Sequence, residues 1–143
     1  MSTEKETEFL RYINRNAKMG ADNLETVIDG MKNMELMQVL SSQVSEYREV
    51  EKQSEGKLSA LGEKPSESGF TGMCARMMIN AKTMMDSSEQ HIAEMVIKGS
   101  TAGIIDITKQ LKNYSECCPD SINLAYRLKA IEQKNLDEMK HYL

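Results

Sequence analysis

A chain of 143 residues with 40 % hydrophobic and 28 % charged side chains has a globular composition, fits one domain over residues 1–143, and can bury a core without disulfides. A formal charge of −4, with no basic block and no aromatic platform, argues against a nucleic-acid partner, whose affinity comes from Lys and Arg on phosphates. No apolar run is long enough to cross a membrane, and the polar, acidic start MSTEKETEF is unlike a signal peptide, so a cytoplasmic protein is the expectation.

The first predicted helix opens at Thr3, with Glu6 completing a capping box. Its stripe, Leu10, Ile13, Ala17, Gly20, Leu24, Val27, Ile28 and Met31, advances in steps of three and four. Whether this helix runs unbroken through Gly20 is open at this level. Gly30 is a stop signal, and Asn33 can cap the second helix. That helix carries Leu36, Met37, Leu40, Val44, Tyr47, Val50, Leu58 and Leu61, and ends at Gly62 before Pro65. The joint between the two helices is short, which makes them an antiparallel hairpin.

A loop rich in Ser and Gly follows Pro65, then a shorter amphipathic crossover helix over about 70–86 with Met73, Met77, Met78, Met84 and Met85. Asp86 and Glu89 are placed as a second capping box. The next helix runs from about Ser88 to Tyr114, on a stripe that includes Val96, Ser100, Gly103, Ile104 and Ile107. Gly99 and Gly103 inside it cost about 1 kcal/mol each relative to Ala. Either the backbone comes close to a neighbour there, or the helix breaks near Gly99. Pro119 suits the first position of the last helix, whose stripe is Leu124, Ala125, Leu128, Ile131, Asn135, Met139 and Tyr142. No stretch alternates with period two, so no strand is expected. Four helices of roughly 25 residues, each spanning about 37 Å, with one long crossover make an all-α bundle of two antiparallel hairpins.

The stripes are interrupted midway. Gln43 and Glu46, Ser100 beside Gly99 and Gly103, and Glu132 and Asn135 fall where a bundle would bury a site. LMQVLSSQVSEYREVEKQSEGKLSALG (36–62) resembles the second helix of the ferritin-like superfamily, where a leucine-rich start leads to Glu-x-x-His and ends in Leu-Gly. MVIKGSTAGIIDITKQLKNY (95–114) is similar to the third helix of that superfamily, and IEQKNLDEMKHYL (131–143) to the fourth. The similarity spans most of the chain and is closest to small bacterial ferritin-like four-helix-bundle domains. It implies a ferritin-like bundle and, in the metal-binding members, two iron or manganese ions bridged by carboxylates with one His each.

On this sequence the second-helix slot reads Gln43-x-x-Glu46 and the fourth-helix slot Glu132-x-x-Asn135. The remaining slots fall near Ala17 and Gly20 on the first helix and at Ser100 on the third. Glu132 alone keeps the expected residue type, with Glu46 a carboxylate in a His slot. Neutral Gln, Asn and Ser are poor ligands for iron. The resemblance therefore implies a degenerate di-metal site, in which Gln43, Glu46, Ser100, Glu132 and Asn135 form a buried polar layer that fixes helix pairing. Glu46 and Glu132 can also reach the bundle edge or pair with Arg48 or Lys129.

Three functions follow from different classes. The first is a non-catalytic bundle without cofactor, acting as an interaction or stress-associated protein. Its Met-rich crossover helix suits a protein partner or a homodimer contact, Met being adaptable at interfaces. The second is an iron- or manganese-binding protein with an altered ligand set of Glu46, Glu132 and Asp106. The third is a small-ligand-binding bundle, with space left by Gly20, Gly99 and Gly103. The other candidates have plainer uses. Met residues with Cys74 are of the type that holds copper(I), but at helical spacing Met packs cores. Adjacent Cys117 and Cys118 suit a soft metal, an oxidant response, or a reduced inter-helix turn. His91 lies off the stripe, and Glu138-x-x-His141 falls in the final turn. No catalytic nucleophile is flanked by a base.

Overall fold

The computed structural model describes residues 3–65 and 88–143. Four helices account for nearly all of them: α1 (Thr3–Ile28), α2 (Met34–Ala60), α3 (Glu89–Asn113) and α4 (Pro119–Met139), followed by a 3-10 turn at Lys140–Tyr142. The expected all-α four-helix bundle is therefore the architecture. The crossover helix over about 70–86, its methionines, Cys74 and Asp86 lie outside the described residues.

Local chemistry sets the helix ends. Asn33 Oδ1 accepts from Leu36 N at 2.9 Å and opens α2. At the other end, the amides of Gly62 and Glu63 donate to the carbonyls of Ser59 and Leu58, both at 2.9 Å. This double closure needs a left-handed residue, and Gly62 supplies it at φ +74°. Gly30, at φ +88°, turns the chain out of α1. Ser88 opens α3, accepting from His91 N at 3.3 Å, and Pro119 occupies the first turn of α4.

One expected cap is redirected. Glu6 does not close a box on its own helix. Its carboxylate accepts from Cys118 N at 3.0 Å and from the Ser121 hydroxyl, so it caps α4 from α1. The reason is that Cys118 stands at the N-cap of α4 with a thiol that makes no capping bond. The carboxylate across the bundle supplies the missing acceptor and favourable charge. Burial, then Glu6, push the Cys117 thiol up to about 11. That direction favours the protonated, less nucleophilic thiol at neutral pH.

Both hairpins form as the short joints require. α1 packs along α2, α3 along α4, and the two hairpins meet where α4 crosses α2 and α1. The core is a column of fully buried side chains: Phe9, Leu10 and Ile13 of α1, Leu36, Leu40, Val50 and Leu58 of α2, Ile107 of α3, Leu128 and Met139 of α4. Each such side chain contributes roughly 1.5–3 kcal/mol on burial. Phe9 stacks on Tyr114 with ring centroids 4.8 Å apart, tying the first helix to the end of the third. Asn14 of α1 donates to Ser54 Oγ at 3.0 Å and Glu51 O at 3.1 Å, which fixes the register of the first hairpin. Arg48 reinforces it through Asp22, Glu25 and Glu51.

Around the bundle the order is α1, α2, α4, α3. The helices at the two ends of that order, α1 and α3, barely touch. Both run unbroken, α1 through Gly20 and α3 through Gly99 and Gly103. The alternative of a break near Gly99 is thereby removed, and among the described residues the space between α1 and α3 is left to a cavity.

Candidate functional site

The cavity has a volume of about 550 Å³. One wall is α1, contributing Tyr12, Arg15, Met19, Gly20, Asn23 and Leu24. The other is α3, contributing Val96, Gly99, Ser100, Gly103, Asp106 and Lys109. Tyr47, Glu132 and Asn135 reach it from the opposite helices, α2 and α4, and form the floor.

At the floor the Tyr47 hydroxyl donates to Glu132 Oε2 at 2.7 Å. The Ser100 hydroxyl also bonds the Glu132 carboxylate. Burial pushes the Glu132 carboxyl up to about 7, and the Tyr47 and Ser100 hydrogen bonds pull in the opposite direction without cancelling it. Near neutral pH the group is therefore balanced between acid and carboxylate. Two glycines make room for this pair. A Cβ on Gly20 would lie 2.7 Å from Cε1 and Cζ of the Tyr47 ring, and one on Gly103 would lie 2.7 Å from Glu132 Oε1. Both distances are below those real contacts tolerate, so glycine at 20 and 103 is what lets Tyr47 and Glu132 occupy the floor.

Beside this pair lie amides without partners. Gln43 and Asn135 are both 0 % exposed. Among the described residues neither the oxygen nor the nitrogen of either side chain has a hydrogen-bond partner. Asn23 Oδ1 is orphaned as well. Leaving a buried polar group unpaired costs about 1–3 kcal/mol, so such a cluster marks a place where something polar completes the bonding. At one end of the cavity the Tyr12 hydroxyl donates to Asp106 Oδ2 at 2.5 Å, linking α1 to α3. Burial and then this carboxylate raise the Tyr12 hydroxyl well above its usual range, so it remains a donor.

The predicted polar layer is thus brought together in four of its five members: Gln43, Ser100, Glu132 and Asn135 are buried. Glu46 is not in it. It is half-buried and ion-paired with Lys134 at 2.5 Å. Position 46 lies one step beside the inward series Leu40, Gln43, Tyr47 and Val50, and Tyr47 takes the inward direction. Glu132 pairs with neither Arg48 nor Lys129. Asp106, the third carboxylate of the altered ligand set, is exposed at the rim and bonded to Tyr12. His141 is exposed at the far end of the bundle near Glu35 and Glu138.

Among the described residues, no group of three or more His, Cys, Asp and Glu side chains is arranged to hold a metal ion. The floor offers one carboxylate, already engaged by two hydroxyls, and neutral amides. That donor set does not fit a carboxylate-bridged pair of iron or manganese ions. Sequence reasoning missed Tyr47, Asn23, Tyr12, Arg15 and Lys109 as site residues. Tyr47 carried a signal, lying one helical turn after Gln43 on the same face. The others required knowing that α1 and α3 part.

The family described as a domain of unknown function (DUF2383) matches residues 5–113, well over half of the 143-residue chain. The chain belongs to this family. The matched region carries both cavity walls and Tyr47, while Glu132 and Asn135 lie beyond it on α4. Comparison with curated proteins gives no match. Among solved structures, the DUF2383 chain is similar to the crystal structure of a DUF305 fragment from Deinococcus radiodurans. The TM-score is 0.75 at 14 % sequence identity, covering 96 % of this chain and 93 % of that one. At that identity the likeness shows the shared helical fold alone.

Proposed function

We propose that this protein is a non-catalytic, small-ligand-binding bundle built on a ferritin-like frame, with a degenerate di-metal site turned into the floor of a ligand cavity. The observation that carries the reading is the pairing of an open volume of about 550 Å³ with the fully buried amide of Asn135 on its lining, which has no hydrogen-bond partner among the described residues. That volume lies in the range of small-molecule sites, which are mostly apolar with a few placed polar groups. The walls match: Met19, Leu24, Val27, Met95, Val96 and Ile105 are apolar, and the polar groups converge at one level. Neutral side chains at the slots where the frame's metal-binding members carry ligands support the same reading. Of these, Ser100 and Asn135 line the cavity and suit hydrogen bonds to an organic group better than they hold iron.

The test is native mass spectrometry of the full chain as isolated, with metal analysis of the same sample. A bound organic species and substoichiometric metal are expected. About two iron or manganese ions per chain, lost on Glu132→Ala, would overturn the proposal.

A further inference from the structure

Resting on the ligand-binding reading, the register of the helices tells which polar groups of the cavity stand together. Across α2 and α4 the paired residues run in opposite directions: Glu46 with Lys134, Tyr47 with Glu132, Lys57 with Asp120. Across α1 and α2 they do so as well, Asn14 with Ser54 and Asp22 with Arg48. α1 and α4 are therefore parallel, and both are antiparallel to α2. Gly20 of α1 lies against the ring of Tyr47, and Tyr47 bonds Glu132 of α4, so Gly20 and Glu132 share the level of the floor. Three residues further along each helix, about 4.5 Å in the same direction, stand Asn23 and Asn135. Both line the cavity, and they are 7 % and 0 % exposed. Among the described residues Asn23 Oδ1, Asn135 Oδ1 and Asn135 Nδ2 all lack hydrogen-bond partners.

Two amides at one level, one on a wall and one on the floor, define what a guest must offer: a donor for each oxygen and an acceptor for the Asn135 nitrogen. We infer that the ligand carries a primary carboxamide between Asn23 and Asn135 and an apolar chain over Leu24, Val27, Met95 and Val96. A primary carboxamide has two N–H groups and one carbonyl. One N–H donates to Asn135 Oδ1, the other to Asn23 Oδ1, and the carbonyl accepts from Asn135 Nδ2. One uncharged group then satisfies all three unpaired atoms. A carboxylate brings no donor for the two oxygens and meets the Glu132 carboxyl one helical turn away. An ammonium brings no acceptor for Asn135 Nδ2. The charged side chains of the lining lie on the far side of the floor. Arg15 is eight residues back along α1 from Asn23, about 12 Å, and Asp106 bonds Tyr12, which is further back still. Leu24 and Val27 continue α1 the other way. On α3, antiparallel to α1 through the Tyr12–Asp106 and Phe9–Tyr114 contacts, Met95 and Val96 precede Ser100 and stand on that same side. The apolar chain thus leads away from the charged end, over surface whose removal from water favours binding.

The test is calorimetric titration of the full chain, near neutral pH, with octanamide, octanoate and octylamine, which share an apolar chain of similar length and differ in the polar end. Octanamide binds about tenfold more tightly than either charged compound, the effect of one net hydrogen bond. Asn135→Leu removes that preference. Leucine there replaces an amide with no partner by an apolar group of similar size, so the fold, checked by circular dichroism, is kept. Asn23→Leu, on the wall, is the second variant and reduces the preference. Equal binding of the three compounds, or tighter binding of octanoate or octylamine, overturns the inference and leaves the ligand-binding reading standing. A preference for octanamide that survives both substitutions overturns the seat between Asn23 and Asn135. Binding of none of the three overturns the inference, and absence of any organic species in the isolated protein then removes the parent reading too.

Discussion

Glu132→Gln isolates the energetic consequence of burying a carboxyl on the cavity floor. The Glu132 carboxyl moves from its ordinary 4.5 up to about 7 in the folded chain. A difference of that size corresponds to about 3 kcal/mol. The sign follows from proton counting. Below about pH 4.5 both states hold the proton and nothing is lost. From there to about pH 7 the unfolded chain has released it while the folded chain keeps it, so stability falls as pH rises. Above the folded value the full cost, about 3 kcal/mol, is present and no further change comes from this group. Urea unfolding followed by circular dichroism at about pH 5 and about pH 8 measures the two plateaus. Other carboxylates also contribute a pH dependence, but it is common to both proteins and cancels in the comparison. Glutamine keeps an acceptor for Tyr47 and Ser100 and cannot ionise. The unaltered protein should therefore lose about 2–3 kcal/mol relative to the variant between those conditions, with the variant the more stable at the higher pH. Parallel pH dependences would refute the argument, because they would mean that Glu132 is solvated or compensated by a cation.

Gly20→Ala places a methyl 2.7 Å from the Tyr47 ring, and overpacking of a buried ring should destabilise by about 1–3 kcal/mol in chemical denaturation; an unchanged midpoint would show that the ring moves freely. Glu6→Ala removes the acceptor for Cys118 N and Ser121, with an expected loss of about 1–2 kcal/mol and faster amide exchange in the first turn of α4. Gln43→Met replaces an amide with no partner by an apolar group of similar length; the ligand-free protein should gain stability, by up to about 3 kcal/mol, whereas a loss above about 1 kcal/mol would mean that ordered water already satisfies the amide.

The helix boundaries were readable where local chemistry sets them. Asn33, Gly62 and Pro119 announce boundaries that need no tertiary partner, and the periodic Leu, Ile and Val positions identify inward faces. Glu6 shows where such reading stops. Its spacing from Thr3 suggests a local cap, yet the acceptor is spent on α4, because Cys118 there makes no side-chain cap of its own. The buried polar layer was legible as an interruption of the stripes, and Gln43, Ser100, Glu132 and Asn135 are buried as that pattern requires. Glu46 was misread because residues three and four apart share a helix face, so Gln43 permits either Glu46 or Tyr47 to point inward. The larger ring wins the interior while the carboxylate finds Lys134. The cavity itself was hidden, since it depends on which pair of helices stands apart.

The two mid-helix glycines connect the fold to the site. Each weakens its helix by about 1 kcal/mol relative to alanine, and no turn or positive φ is gained, since Gly20 and Gly103 are both in regular helix. What each gains is contact from across the bundle: Gly20 admits the ring of Tyr47, and Gly103 admits the carboxyl of Glu132. Those two side chains bond each other. The glycine of α1 thus positions a residue of α2, the glycine of α3 positions a residue of α4, and the floor is a joint product of all four helices. The helix cost of the two glycines, the buried carboxyl of Glu132 and the unpartnered amide of Asn135 meet on that floor, with the amide of Gln43 one helical turn from Tyr47. Helix propensity alone would favour alanine at 20 and 103, and core packing alone would favour apolar side chains at 43 and 135. Concentration of these departures on and beside a single cavity is what the proposed ligand-binding reading accounts for.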